Sequence, residues 1–373
     1  MSTEIISPTN TFMVKINPKY KPVWEQYDEK PRTALSNYFL PHNSNKPMLD
    51  PTRPRILKWY CPFAAQEDFP SGHRYCINVY TGCDHKCVYC YASGYEPTKA
   101  SSKKNFDRLL SKDMEDLENF NVPPAPVHLS NSTDPLQPLE GELCHTKYAL
   151  EQILAHRNRF TTVTILTKNP VMAVKQDYLE LFKKLIPLPK DHPKHKEFTQ
   201  RRHPGFVVEV SLAFWQETAR SVYDPGAPTV KQRIEGIKAL HQAGIPLVLR
   251  IDPLFPRSPI SGQAIADFGL PELQTLEDIE NLVILAKDMN VLHVVYSPCK
   301  IVQPRGRRLS EIMQKMRAMY QAFAAPEKLV WLGSSWRLPQ DIADSKIVHP
   351  FQEICKRHGV KAKYCKTNLI ETP

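Results

Sequence analysis

Six short apolar runs alternate with helix-period segments between residues 76 and 323, and no other feature of the 373-residue chain constrains its fold as much. The runs are CINVYT (76–81), VHLSN (127–131), TTVTILTK (161–168), FVVEVSL (206–212), PLVLRID (246–252) and LHVVYS (292–297). Each is apolar over most of its length, as strands covered on both faces are. Between them apolar residues recur at helical spacing, for example Val230, Ile234, Ile237 and Leu240, or Ile312, Met316, Met319 and Phe323. Further stripes are Leu150, Ile153 and Leu154, and Val171, Val174, Tyr178, Leu181 and Leu185. Pro228 and Gly244 bracket the stripe that begins at Val230, and Thr275 with Asp278 predicts an N-cap before Ile279. Strand–helix alternation predicts parallel βαβ units. An open doubly wound sheet and a barrel or partial barrel both satisfy it, and both put functional loops at the C-terminal ends of the strands.

Three stretches fall outside this rhythm. Residues 1–75 are read as an extended N-terminal arm, in which the Pro- and Asn-rich stretch 41–55 reads as a wrapping segment. Residues 76–323 form the α/β unit. Residues 324–373 form a small C-terminal extension with a helical piece near Phe351–Arg357. Within the α/β unit, 183–204 carries seven Lys and Arg residues and three His, and reads as a basic loop inserted between a helix and the next strand.

Hydrophobic residues make up 42% and charged residues 24%, so a packed core is expected rather than a disordered chain. No run approaches the roughly 18 apolar residues a membrane helix needs. The first residues lack a secretory pattern, so a soluble, cytoplasmic protein is expected. The net charge of +10 permits a polyanionic partner such as nucleic acid, DNA or RNA, and equally a basic protein without one. Nine cysteines without a secretory pattern argue against a disulfide framework.

Three of those cysteines, Cys83, Cys87 and Cys90, sit in a C-x3-C-x2-C pattern directly after the first run. Three thiolates on one compact loop suit three irons of a [4Fe–4S] cluster and leave the fourth iron open, as a catalytic cluster needs. A zinc site with His85 or Cys76 as fourth ligand is the competing reading, although no second cysteine knuckle is present. Gly82 allows a tight turn into the loop. Cys299, Cys355 and Cys365 read as buried small hydrophobes, with a second metal site as the alternative.

With Tyr89 before its last cysteine, the pattern resembles the signature of the radical S-adenosylmethionine superfamily. The segment YTGCDHKCVYCYA resembles, more narrowly, the branch that contains spore photoproduct lyase and the DNA repair photolyase-like proteins. SNSTDPLQP (130–138), TILTKNP (164–170), VEVSL (208–212) and the long run 233–256 resemble that branch in the same order. The resemblance spans about residues 76 to 300. It implies a partial (β/α)6 TIM-like barrel, a [4Fe–4S] cluster and S-adenosylmethionine as cofactors, and reductive release of a 5′-deoxyadenosyl radical that takes hydrogen from a substrate. It also implies an electron donor such as ferredoxin or flavodoxin, and lyase chemistry on a nucleic-acid lesion. A radical enzyme acting on a peptide or small molecule, and a non-catalytic iron–sulfur or zinc protein that binds nucleic acid, remain alternatives.

By the same resemblance, Cys83, Cys87 and Cys90 are cluster ligands and Tyr89 seats the adenine through its backbone. Ser132 and Asp134 meet the methionine amino group, while Lys168 and Ser211 contact the cofactor. Residues such as Ser132 and Asp134 also cap helices and form turns. Arg250 either contacts the cofactor or forms an ion pair with Asp252 or Glu209, because an arginine in an apolar strand needs a partner. One departure stands out. Where the resembling lyases carry a cysteine that donates hydrogen, this chain has Asn131, which has no S–H to give. The basic loop 183–204 and the Arg305, Arg307, Arg308 run are candidate phosphate contacts, with a solvated surface as the other reading.

Overall fold

The computed structural model describes residues 3–6, 13–16, 55–58, 75–97, 99–119, 124–304 and 306–365. Most of the expected 1–75 arm, with residues 41–54 and Cys61, lies outside the described residues, as does Arg305.

The core of the fold is an eight-stranded, mostly parallel sheet. Its strands are β1 (Leu57–Lys58), β2 (Tyr75–Ile77), β3 (Ala125–Leu129), β4 (Phe160–Thr167), β5 (Phe206–Ser211), β6 (Leu247–Arg250), β7 (Val294–Tyr296) and β8 (Ala362–Tyr364). They lie side by side in chain order. Strands β2 to β8 are parallel, and β1 is antiparallel at the edge. A doubly wound sheet reverses its strand order at a switch point. Here the order never reverses, which is the winding of a barrel.

Each of the six apolar runs overlaps one of the strands β2 to β7, with β2, β3 and β4 starting one or two residues before their runs. The sheet has two further strands, β1 and β8, too short for any periodicity to announce them. The principal helices are α1 (Phe106–Asn119), α2 (His145–Ala155), α3 (Gln176–Leu185), α4 (Val230–Gln242), α5 (Leu276–Asp288), α6 (Glu311–Ala324) and α7 (His349–His358). Helix α1 is absent from the sequence reading. Its buried residues Phe106, Leu110, Met114 and Leu117 sit among nine polar ones, which dilutes the stripe. The stripe from Val171 to Leu185 belongs to two helices, because Lys175 is extended and interrupts it. Thr275 and Asp278 form the expected capping box at α5. Thr229 and Gln232 form another at α4.

The two faces of the sheet differ. Tyr75, Ile77, Val127, Leu129, Val163, Ile165, Val208, Val210, Leu247, Leu249 and Val294 join the main hydrophobic core with the helices. The alternate residues point the other way. They include Cys76, His128, Thr162, Thr164, Glu209, Ser211 and Arg250, all buried. Among the described residues only Val207, Val248 and Val295 make an apolar patch on that face, with Cys365 packed on it. The strands are thus covered on both faces as expected, but the inner face is largely polar. Among the described residues no helix is long and apolar enough to cross a membrane.

Candidate active site at the C-terminal mouth of the sheet

Strand β2 runs through a short hairpin strand, Tyr80–Thr81, into the cysteine loop. Gly82 turns the chain with φ +72°, and a Cβ there would lie 2.3 Å from the Lys99 carbonyl oxygen, so glycine is required. The loop is held internally by Cys90 N–H to the Cys87 carbonyl and Ser93 N–H to the Cys90 carbonyl. Gln137, after β3, holds its start: its Oε1 accepts from Asp84 N–H at 2.9 Å and its Nε2 donates to the Gly82 carbonyl at 3.2 Å.

Cys83, Cys87 and Cys90 are free, partly buried thiols. Burial raises the pKa of all three, that of Cys83 to about 12. Three protonated thiols in one poorly hydrated loop suit exchange of their protons for a cationic metal core, which deprotonates its thiol ligands outright. Among the described residues no three His, Cys, Asp or Glu side chains converge on a point where one ion would sit. The thiolates of a cubic cluster each take a different iron and need not converge. His85, the fourth ligand in the zinc reading, has both ring nitrogens engaged. Nε2 pairs with Asp134 Oδ2 at 3.0 Å and Nδ1 with the Gly226 carbonyl at 3.1 Å. The donor set therefore fits a cluster better than a mononuclear zinc.

The sequence-predicted residues fall into two groups. Tyr89, Lys168 and Ser211 meet in one network beneath the loop. Lys168 Nζ donates to Tyr89 Oη at 2.8 Å, to Ser211 Oγ at 3.1 Å and to Asp224 Oδ2 at 3.3 Å. Tyr89 donates to Asp224 Oδ1 at 2.6 Å, and its ring packs edge-on against Phe214 and Phe255. Its side chain is thus committed to the packing under the loop. Asp134 adjoins this group. Its Oδ2 accepts from Lys168 N–H at 2.6 Å as well as from His85, and its Oδ1 from Leu136 N–H and Thr167 Oγ1 at 2.8 Å each. Burial works against its charge, yet His85 and these donors hold the carboxyl below its usual range. Ser132 Oγ lies 3.2 Å from Tyr95 Oη.

Arg250 stands apart from that network. Its guanidinium binds Glu209 and Asp252, each at 2.7 Å, and Cys365 Sγ at 2.9 Å. Both ion pairs foreseen for it are present. Asn131 donates through Nδ2 to Cys76 Sγ at 3.0 Å.

Asp224 and Arg233, both fully buried, are the residues sequence reasoning missed. Arg233 Nη1 and Nη2 donate to Asp224 Oδ2 at 3.2 and 3.1 Å. Burial opposes ionisation of Asp224, but Lys168 and Arg233 hold its carboxyl well below the usual range. The Asp-Pro-Gly turn at 224–226 was the available signal, since it falls between a strand and a helix on the functional face.

Segment 183–204 is not a plain loop, since it holds the end of α3 and a short helix His195–Arg201; it precedes β5 and so lies at the N-terminal end of the strands, opposite the cysteines. Arg307 is at the mouth, where its Nη2 reaches the Ser93 carbonyl at 3.5 Å.

No protein-family model matches the chain. An uncharacterized protein of Methanocaldococcus jannaschii is 23% identical over 185 residues, which is 50% of this chain and 62% of that protein. An uncharacterized protein of Mycobacterium tuberculosis is 28% identical over 203 residues, 51% of this chain and 52% of the relative. The chain thus spans less than two thirds of these curated relatives. A mutant of spore photoproduct lyase superimposes with a TM-score of 0.52 at 13% identity, covering 84% of this chain and 80% of that one. A spore photoproduct lyase mutant with bound AdoMet and dinucleoside spore photoproduct also gives 0.52, at 14% identity, covering 83% and 78%. The chain thus shares the fold of spore photoproduct lyase.

Proposed function

We propose, on the premise of this shared fold, that the chain is a radical S-adenosylmethionine enzyme that abstracts hydrogen from a polar substrate, a nucleic-acid lesion being the class favoured. The observation that carries the reading is the C-x3-C-x2-C loop, with three free thiols, at the C-terminal end of the first parallel strand. In this reading Cys83, Cys87 and Cys90 hold three irons of a [4Fe–4S] cluster. Once bound, the cluster supplies the electron for reductive cleavage of S-adenosylmethionine, received from a donor such as ferredoxin or flavodoxin.

The chain's own residues position and shield. The Tyr89 backbone borders the adenine. Lys168, at the end of β4, has its three N–H donors on Tyr89, Ser211 and Asp224, so it meets the methionine carboxylate as a point charge only by releasing one of them. Ser132 contributes a hydroxyl near the methionine amino group. Asp134 has its four acceptor positions filled by protein donors, so it acts by fixing His85 and the end of β4 rather than by binding the amine itself. Ser211 orients Lys168, and Arg250, beside Ser211 on the next strand, fixes that part of the wall through Glu209 and Asp252. Among the described residues the inner face is lined by His128, Thr164, Glu209 and Arg250, which suits a polar substrate.

Two features support a nucleic-acid lesion as substrate. The lyase of the same fold was solved with a dinucleoside photoproduct, and the net charge here is +10. Asn131 cannot donate hydrogen, but the Cys76 thiol on the adjacent strand stands beside it.

The test is anaerobic reconstitution, reduction, addition of S-adenosylmethionine, and measurement of 5′-deoxyadenosine. Release by the wild type and none by Cys90→Ala is expected. One zinc per chain, stable in air, with no release would sink the proposal.

A further inference from the structure

We infer that Asp224 is a positioning residue whose fixed negative charge, held beneath the cysteine loop, sets the reduction potential of the cluster on that loop. The inference rests on the function proposed above in so far as the loop holds an iron–sulfur cluster.

The segment Tyr223–Gly226 follows the short helix Glu217–Tyr223, after β5, and clamps the loop at several points. Val88 N–H donates to the Tyr223 carbonyl at 2.9 Å, and Gly226 N–H donates to the His85 carbonyl at 2.9 Å. Gly226 passes so close that a Cβ would lie 2.1 Å from the Asp84 carbonyl oxygen. The clamp delivers the Asp224 carboxylate to the underside of the loop, where Tyr89 Oη, between two of the cysteines in sequence, donates to it at 2.6 Å.

This carboxylate is fully buried and faces two cations, Lys168 at 3.3 Å and Arg233 at 3.1 Å. The Arg233 guanidinium is itself fully buried and pinned by the Pro228 and Ser211 carbonyls. Such a charge is barely screened by solvent. Reduction adds one electron to the cluster. Asp224 opposes that added charge, while Lys168 and Arg233 favour it. Neutralising Asp224 leaves both cations uncompensated and must make the cluster easier to reduce. Neutralising Lys168 must do the reverse.

The experiment is a redox titration followed by electron paramagnetic resonance, on full-length reconstituted protein of known iron content and without S-adenosylmethionine. In Asp224→Asn the reduced-to-oxidised ratio at the wild-type midpoint should rise about tenfold or more. In Tyr89→Phe, which removes a hydrogen bond but no charge, it should move much less. If Asp224→Asn fails to fold, Lys168→Met reads the same field with the opposite sign and should lower the ratio. Equal iron content with an unmoved midpoint in the charge variants overturns the inference and leaves the proposed function standing. A wild-type protein that takes up no iron overturns both.

Discussion

Four donors from three parts of the chain converge on the Asp134 carboxylate, which makes it the hub of the mouth. His85 comes from the cysteine loop, Leu136 from the turn after β3, and Thr167 and Lys168 from the end of β4. Asp134→Asn would turn an NH2 group toward donors and leave His85 without its carboxylate. Removing one partner of a buried pair costs about 3–5 kcal/mol, and a drop of that order in unfolding free energy is expected from urea titration. An unchanged urea midpoint would show that the hub is not what holds the mouth. At the other end of the sheet, His192 has its pKa lowered to about 4, by burial and then by the neighbouring Arg157 cation. Its Nδ1 accepts the Lys194 N–H at 2.9 Å, which requires that nitrogen to be unprotonated. A histidine depressed on folding contributes stability that is full above its unfolded pKa of about 6.5 and is lost as pH falls toward the folded value. Stability should therefore decline between about pH 6.5 and about pH 4. In His192→Gln that decline should be shallower, as read from urea midpoints at pH 7 and pH 5. Equal slopes in the two proteins would remove His192 from the account.

At the scale of elements, the sequence was legible where an element was long or carried a cap. Strand β4 spans eight residues, and the Thr275–Asp278 signal marks a real capping box. Thr275→Ala should cost about 1 kcal/mol through loss of that cap, visible as a lowered melting temperature. An unshifted melting temperature would mean that tertiary packing alone fixes the start of α5. Strands of two or three residues such as β1 and β8 exist only through their neighbours. Lys58 is a strand residue because Cys76 lies opposite it. The buried Asp113 of α1 fastens this edge by accepting from Ile56 N–H and Leu57 N–H at 2.7 and 2.8 Å. The candidate site divides in the same way. The cysteine triplet was readable because its spacing is local. Asp224 was not, because its meaning lies in contacts with residues 56 and 135 positions away.

At the scale of the whole molecule, parallel strands sort the loops by end, and this separates two basic segments that look alike in sequence. Lys190, Lys194 and Lys196 precede β5 and are exposed at the N-terminal end of the sheet, where Lys194 spends part of its charge on Glu197 at 3.0 Å. Arg307 and Arg308 follow β7 and are exposed at the mouth with the cysteine loop. Only the second pair can meet a phosphate backbone whose base is presented to the site. Counterion release makes this measurable, since each phosphate contact to a single strand adds roughly 0.7 to the slope of log affinity against log salt. With a single-stranded DNA oligonucleotide as probe, Arg307→Ala with Arg308→Ala should lower that slope by about 1.4. Alanine at Lys190, Lys194 and Lys196 should leave it unchanged. The opposite result would place the nucleic acid at the far end of the sheet, out of reach of the cysteines, and would leave the charge of +10 unconnected to the chemistry of the mouth.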